Sequence, residues 1–376
     1  MKLAKGSFIA IVWFFIAIKP CRAQDFRHRM DYVIDSMLSH HTISANIMIA
    51  SDVRPLFERN VGFADITTAK PLQKSNAFQI ASISKQFTAY GIMLLKKNGL
   101  LDYDSAVSSY LHEFPYPSIT IRHLLSHTSG LPNFITEILP HFDTTRSNGN
   151  VELLQYLVTA KPPLQSVPGK VFEYADIGYD LLAMVIERIS GKTYRQFMWQ
   201  YIFKPVGMFA TTAEQVTDIR RIKSRRLAVG HIFDSTDRTF VPAHLQASRN
   251  FVFYLGDFYG DGSVTSTAFD LFLWHRAVTR SRLLPPALQQ EAFEPYKVNG
   301  ELPLNKAGKP VSYGFGWLIS RDEAMGQVVS HGGGHPGFTS YYYRFPEKKL
   351  CLIFLSNAET PANNYLKNRL LALLRE

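Results

Sequence analysis

Ser82-Ile83-Ser84-Lys85 stands at the front of an apolar, helix-patterned stretch. A serine three residues before a lysine puts both side chains on one helix face, roughly 5–6 Å apart at Cβ. A serine hydroxyl is a poor nucleophile until a neighbouring base takes its proton. A lysine one turn away can be that base if its surroundings lower its pKa from about 10.4. Phe87, Gly91, Leu94 and Leu95 fall at i, i+4, i+7 and i+8, and Asn98-Gly99 supplies a stop, so the spacing predicts a helix. Ser82 then lies at a helix N-terminus, where unpaired N–H groups favour developing negative charge. Ser84 is rotated off the Ser82–Lys85 face and is the wrong nucleophile. Alone, Ser-x-x-Lys equally describes a serine N-cap followed by a surface lysine. Its companions decide.

Two further segments follow in order. Val171-Phe172-Glu173-Tyr174-Ala175-Asp176-Ile177-Gly178-Tyr179 leads into a helical run, Leu181–Ile189, that stops at Ser190-Gly191. Ser330-His331-Gly332-Gly333-Gly334-His335-Pro336-Gly337-Phe338 lies between two strand patterns. Together the three segments resemble the signatures of serine hydrolases related to penicillin-binding proteins and class C β-lactamases: Ser-x-x-Lys, Tyr-x-Asn, and Lys-Thr-Gly or its His-x-Gly variant. The resemblance extends over most of residues 40–357, through Ile119–Pro132, Pro168-Gly169, Pro205–Met208, Gly260-Asp261-Gly262 up to Asp270, and Tyr313–Trp317. It implies Ser82 as the acylated nucleophile, Lys85 as its helix-mate and Tyr174 as the phenol that moves protons. His331 and Gly333 take the Lys and Gly places of the third motif, and the N–H groups of Ser82 and Gly334 form the oxyanion hole. Three glycines leave no side chain between substrate and backbone; without the other motifs they would read as a flexible turn.

The chain departs from the family pattern at two places. Asp176 stands where the family has asparagine. An amide can both donate and accept, whereas an ionised carboxylate only accepts. Asp176 is therefore expected to favour the ammonium form of Lys85, to shift proton transfer toward Tyr174 and to repel an anionic substrate. His331 in place of lysine weakens the positive charge that would meet a β-lactam carboxylate. His331 and His335 are four apart, a metal-pair spacing on a helix, but Gly332–Gly334 and Pro336 argue against a helix there. His123, His127, Arg122 and Trp317 read as structural support. No metal or cofactor is implied.

The elements that would position these residues are strands at both ends and helices between. Strand patterns cover 43–50, 55–63, 314–320, 327–331, 339–345 and 350–355, and helical patterns cover 26–38 and 363–374. This predicts an α+β fold of the β-lactamase/transpeptidase type: an antiparallel sheet flanked by helices, with an inserted, mostly helical lobe. The sheet lobe takes about 24–80 and 300–376, the helical lobe about 100–300, and the site lies at their seam. Residues 1–23 read as a signal peptide, with Lys2 and Lys5, an apolar run Phe8–Ile18, and Cys21-Arg22-Ala23 before Gln24. An uncleaved anchor, or a lipid anchor on Cys21, is the lesser reading. An exported, periplasmic or extracellular protein without a stable membrane span is expected.

The net charge of +10 falls to +6 when residues 1–23, with four basic and no acidic residues, are removed. The Arg220–Arg226 basic run reads as a solvated face, because no nucleic-acid-binding motif accompanies it. Cys351 is then the lone cysteine, a buried strand thiol, which excludes an intramolecular disulfide. The expected partner is a small-molecule or peptide substrate; the sequence does not specify oligomeric state. The leading expectation is a serine hydrolase that cleaves an ester or a D-amino-acid peptide or amide, with a β-lactam last. The alternative is a catalytically weak penicillin-binding-like sensor. An α/β-hydrolase is excluded by the absence of a Gly-x-Ser-x-Gly elbow.

Overall fold

The computed structural model describes residues 18–213, 226–246 and 255–376, with side chains from residue 24. The signal-peptide reading therefore falls largely outside the described residues, as does most of the Arg220–Arg226 run. Six strands form one antiparallel sheet: β1 Ala45–Ser51, β2 Pro55–Val61, β3 Leu318–Asp322, β4 Gly326–His335, β5 Phe338–Phe345 and β6 Leu350–Ser356, in the order β3-β4-β5-β6-β1-β2. Both ends of the chain thus build one sheet. Ala45 pairs with Ser356 and Ser51 with Leu350, which locks the first strand to the last.

Alternation along β1 assigns two cores. Ala45, Ile47 and Ile49 face one hydrophobic cluster, and Met48 and Ala50 face the other. On β6, Leu352 and Phe354 join the first and Cys351, Ile353 and Leu355 the second. A strand buried on both faces reads as an unbroken apolar run, as these do. The first cluster is closed by α1, Ile18–Leu38, through Met30, Ile34 and Met37, and by the C-terminal helix Pro361–Arg375 through Leu366 and Leu370. The second cluster is larger and holds α2, Lys85–Lys97, which is buried from Lys85 to Met93. Also in it are α3, Asp176–Ser190, and α4, Ala268–Thr279. The C-terminal helix is α5. No helix among the described residues is long and apolar enough to cross a membrane.

The first helix begins at Ile18 rather than 26, and several strand and helix ends shift by one or two residues; three further differences have a local reason. The second strand ends at Val61 because Gly62 turns the chain at φ +78°. The expected strand over 314–320 starts only at Leu318. Residues before it are drawn onto neighbouring segments: Phe315 N–H donates to Ala292 O, and Gly316, at φ +80°, lies so close to α2 that a Cβ would stand 2.9 Å from the Lys85 carbonyl. Finally, β4 does not end at His331. Gly332, Gly333 and Gly334 remain in register opposite Tyr341, Ser340 and Thr339, and the reversal comes later, at Gly337 with φ +81°.

Candidate active site

The Ser82 segment is a 3₁₀ turn, Ala81–Ser84, running directly into α2. Ala81 adopts φ +48° although it carries a side chain and is buried, so the residue before Ser82 is held in a costly conformation by its surroundings. Those surroundings are β4 and β5: Ser340 Oγ donates to Ile80 O at 2.8 Å, and Gly333 packs against the same carbonyl. Ser84 is fully buried, and its Oγ accepts from Val264 N–H at 3.0 Å, which makes it structural.

Lys85 is completely buried, and its ammonium has three acceptors. It donates to Ser82 Oγ at 3.1 Å, Asp176 Oδ1 at 2.7 Å and Asp261 O at 3.0 Å. Asp261 Oδ2 stands 3.9 Å away. Burial opposes the charge, but the carboxylates of Asp176, first, and Asp261 outweigh it and hold the pKa well above the ordinary lysine value. Lys85 is therefore an ammonium at neutral pH.

Tyr174 precedes α3, and its ring centroid lies 5.0 Å from Lys85 Nζ. Its side chain is partly exposed, yet loss of water around the phenol raises its pKa and the nearby Lys85 charge only partly offsets this, so it rests as a phenol. His127 sets its position. The His127 ring lies 4.3 Å from the Tyr174 ring, its Nδ1 accepts from Ala175 N–H at 3.1 Å and its carbonyl accepts from Glu173 N–H at 2.8 Å. Burial holds His127 well below the usual histidine pKa, and nearby Lys85 and His331 add to the effect. It supports the turn rather than carrying charge.

His331 points from β4 toward Tyr313. Its Nε2 is 3.0 Å from Tyr313 Oη and its Nδ1 is 2.6 Å from Gly332 O. A carbonyl only accepts, so Nδ1 carries the proton and Nε2 accepts from the phenol. Burial and the Lys85 charge push this histidine down to about 4. His335 closes the same extended strand, so the pair is not on a helix. Gly334 differs from its neighbours: a Cβ there meets nothing within 4 Å, because the residue borders the open cleft.

Ser82 and Asp176 thus share the Lys85 ammonium, with the Tyr174 ring beside it and His331 and Gly333–Gly334 on the adjoining strand. Arg122 forms a bidentate pair with Asp104 at 2.6 and 2.8 Å, His123 closes a capping box with Thr120, and Trp317 is buried between Phe293 and Tyr342. All three are framework. Sequence reasoning missed Asp261, Asp180 and Tyr313 as site residues. Asp180 lies one helical turn after Asp176, a spacing that could have marked it. The glycines flanking Asp261 were the only signal there.

The arrangement offers a hydroxyl, a buried cation, a phenol and an open backbone edge, the set needed for acyl transfer. Residues 22–376 match the family model described as Beta-lactamase. "Penicillin-binding protein 4*" of Bacillus subtilis is 33% identical over 339 residues, covering 89% of this chain and 73% of the relative. A "D-aminopeptidase" of Cereibacter sphaeroides is 26% identical over 332 residues, 87% of this chain and 59% of its own length. The chain therefore spans about three-fifths of that relative. A D-amino acid amidase from Ochrobactrum anthropi, in a crystal structure complexed with L-phenylalanine amide, superposes with a TM-score of 0.74 at 23% identity, covering 93% and 99% of the two chains. The chain belongs to the Beta-lactamase family, the serine hydrolases related to penicillin-binding proteins and class C β-lactamases.

Proposed function

We propose that this protein hydrolyses an ester or a D-amino-acid amide or peptide bond through an acyl-enzyme on Ser82. The observation that carries this reading is the single ammonium shared by Ser82 Oγ and Asp176 Oδ1 beside the Tyr174 ring. With Lys85 held charged, Tyr174 is the group left to accept the Ser82 proton, and the adjacent ammonium stabilises the phenolate that does so. Ser82 Oγ bonds to the acyl carbon, the carbonyl oxygen becomes the oxyanion facing the N–H groups of Ser82 and Gly334, and Tyr174 passes the proton to the leaving group. Water then attacks the ester on Ser82, gives its proton to Tyr174, and Ser82 regains one as the acid leaves.

Asp176 and a neutral His331 place β-lactams last, since neither offers positive charge to a ring carboxylate. The relatives named as a D-aminopeptidase and a D-amino acid amidase favour the amide end of this range for the present chain. A slow binder or sensor is favoured by one observation, that both Lys85 and Tyr174 rest protonated. A panel of p-nitrophenyl esters, D-alanyl amides and a chromogenic cephalosporin separates the readings, run on wild type and Ser82→Ala. Turnover of esters or amides that Ser82→Ala abolishes is expected. Labelling of Ser82 by a fluorophosphonate with no turnover of any substrate would make the protein a sensor. Export is proposed from residues 1–23, and a secreted product beginning at Gln24 is its expected mark.

A further inference from the structure

The glycine run of β4 lacks what usually fixes a strand edge. β3 begins opposite Ser330, so from His331 onward the outer edge of β4 has no strand beside it among the described residues. Gly332, Gly333 and Gly334 carry no Cβ, so their own sterics leave the peptide planes freer to turn than at any other residue. In the proposed reaction the Gly334 N–H faces the developing oxyanion, and such a donor works only when it is held in place beforehand. Groups outside the run have to hold it.

Two side chains do so. Ser340 Oγ, which serves Ile80 O, also reaches Gly333 O at 3.4 Å. His331 Nδ1–H donates to Gly332 O at 2.6 Å. The second bond is only as good as the placement of the imidazole, and Tyr313 supplies that placement. Its phenol donates to Nε2 at 3.0 Å, and both side chains are buried. Tyr179, beside the same phenol, sends its own O–H to Leu125 O at 2.8 Å and so has no proton to give there. An imidazole bonded at both nitrogens keeps one tautomer and one ring orientation. The Tyr313 ring is itself wedged against His127, Phe172 and Tyr174, with centroids 4.7, 5.7 and 6.3 Å away. The Tyr313 carbonyl accepts from Tyr296 N–H at 3.0 Å. One residue therefore backs the Tyr174 turn and anchors β4.

We propose that Tyr313 is a positioning residue for acyl transfer: through His331 it orients the Gly332 carbonyl, and with it the Gly332–Gly334 edge that polarises the substrate carbonyl. The inference rests on Ser82 being the acylated residue. It gives His331 a part in which it neither moves a proton nor brings a charge. Its one N–H is committed to Gly332 O and its one lone pair to Tyr313. Of the other groups around the imidazole, Lys85 opposes a charge on it and Asp176 favours one, while Tyr174 and His127 are neutral. The bond from Tyr313 adds to the neutral side, because it exists only while Nε2 is unprotonated.

The test uses the full chain, labelled with [15N]histidine, as wild type and as Tyr313→Phe, which keeps the ring and removes only the O–H. Long-range 1H–15N spectra at neutral pH report the tautomer, and His331→Asn identifies the His331 signals. Wild type is expected to carry its proton on Nδ1, and the Nε2 signal is expected to move downfield in Tyr313→Phe as its donor is lost. With p-nitrophenyl butyrate, kcat of the variant is expected to fall about tenfold while KM stays within about twofold, since the edge acts on the developing oxyanion rather than on bound substrate. A merely structural phenol would leave the Nε2 signal and the kcat-to-KM split where they are. A wild-type proton on Nε2, or an unchanged kcat in the variant, overturns the proposal and leaves the hydrolase reading intact. Should the variant not fold, the wild-type tautomer decides. A wild type that neither turns over the ester nor takes a fluorophosphonate on Ser82 overturns both.

Discussion

Asp176 is the residue that sets this site apart from an asparagine-bearing one. It accepts from Lys85 at 2.7 Å and keeps the lysine charged, which leaves proton transfer to Tyr174. Because Tyr174 titrates above its ordinary value, the active phenolate accumulates as pH rises, and kcat/KM is expected to climb through the alkaline range. Asp176→Asn removes the charge that stabilises the ammonium, so the Lys85 pKa falls and a neutral amine becomes available. The rising limb is then expected to move to lower pH, and acylation by a chromogenic cephalosporin to quicken about tenfold or more. A variant no faster than wild type, with an unmoved limb, would show that Asp176 does not limit the site.

At the scale of elements, the approach of β4 to the Ser82 turn is the contact on which the geometry depends. Gly333 and Gly334 are adjacent yet make opposite demands. A Cβ on Gly333 would stand 2.3 Å from Ile80 O and 2.4 Å from Ser340 Oγ, so Gly333→Ala must push the strand off the nucleophile turn. About 2 kcal/mol or more of stability should be lost with activity, a typical cost of overpacking. Gly334→Ala meets no atom within 4 Å, so its melting temperature should match wild type while the methyl group obstructs substrate and kcat/KM falls at least about tenfold. Thermal melts and ester kinetics on the two variants check this; equal loss of stability in both would contradict it. The strands, α2 and the Tyr174–Asp176 turn were legible because their signals are local, periods of two or 3.6 residues and short motifs. Asp261 and Tyr313 were not, because what matters is whom they meet. Asp261 is 176 residues from Lys85 in sequence, and nothing at either position specifies the hydrogen bond between them. The start of β3 was missed for the same reason, since Gly316 answers to the distant backbone of Lys85.

Across the whole molecule, buried titratable groups pull stability in opposite directions with pH. His331 and His335 are both held near 4, and His275 near 3, chiefly by burial. Each binds its proton more weakly folded than unfolded, so each favours the folded state above pH 6.5 and withdraws that support as pH falls toward its folded pKa. For His331 the loss reaches up to about 3 kcal/mol below pH 4. Asp180 acts the other way. Burial and the charges of Asp261 and Asp176 raise its pKa well above the usual value, so its contribution is present in acid and fades as pH rises through the folded pKa. Melting temperatures between pH 4 and 7 should therefore rise with pH in wild type and rise more steeply in Asp180→Asn, which keeps the histidines and removes the opposing group. Parallel profiles for the two proteins would contradict that assignment.

Covalent capture of Ser82 bears most directly on the whole account. The full chain is treated with a fluorophosphonate, digested, and the adduct located by tandem mass spectrometry. One adduct per chain on the peptide carrying Ser82, absent from Ser82→Ala together with ester turnover, is the expected result. An adduct on another residue, or undiminished turnover by Ser82→Ala, would contradict it.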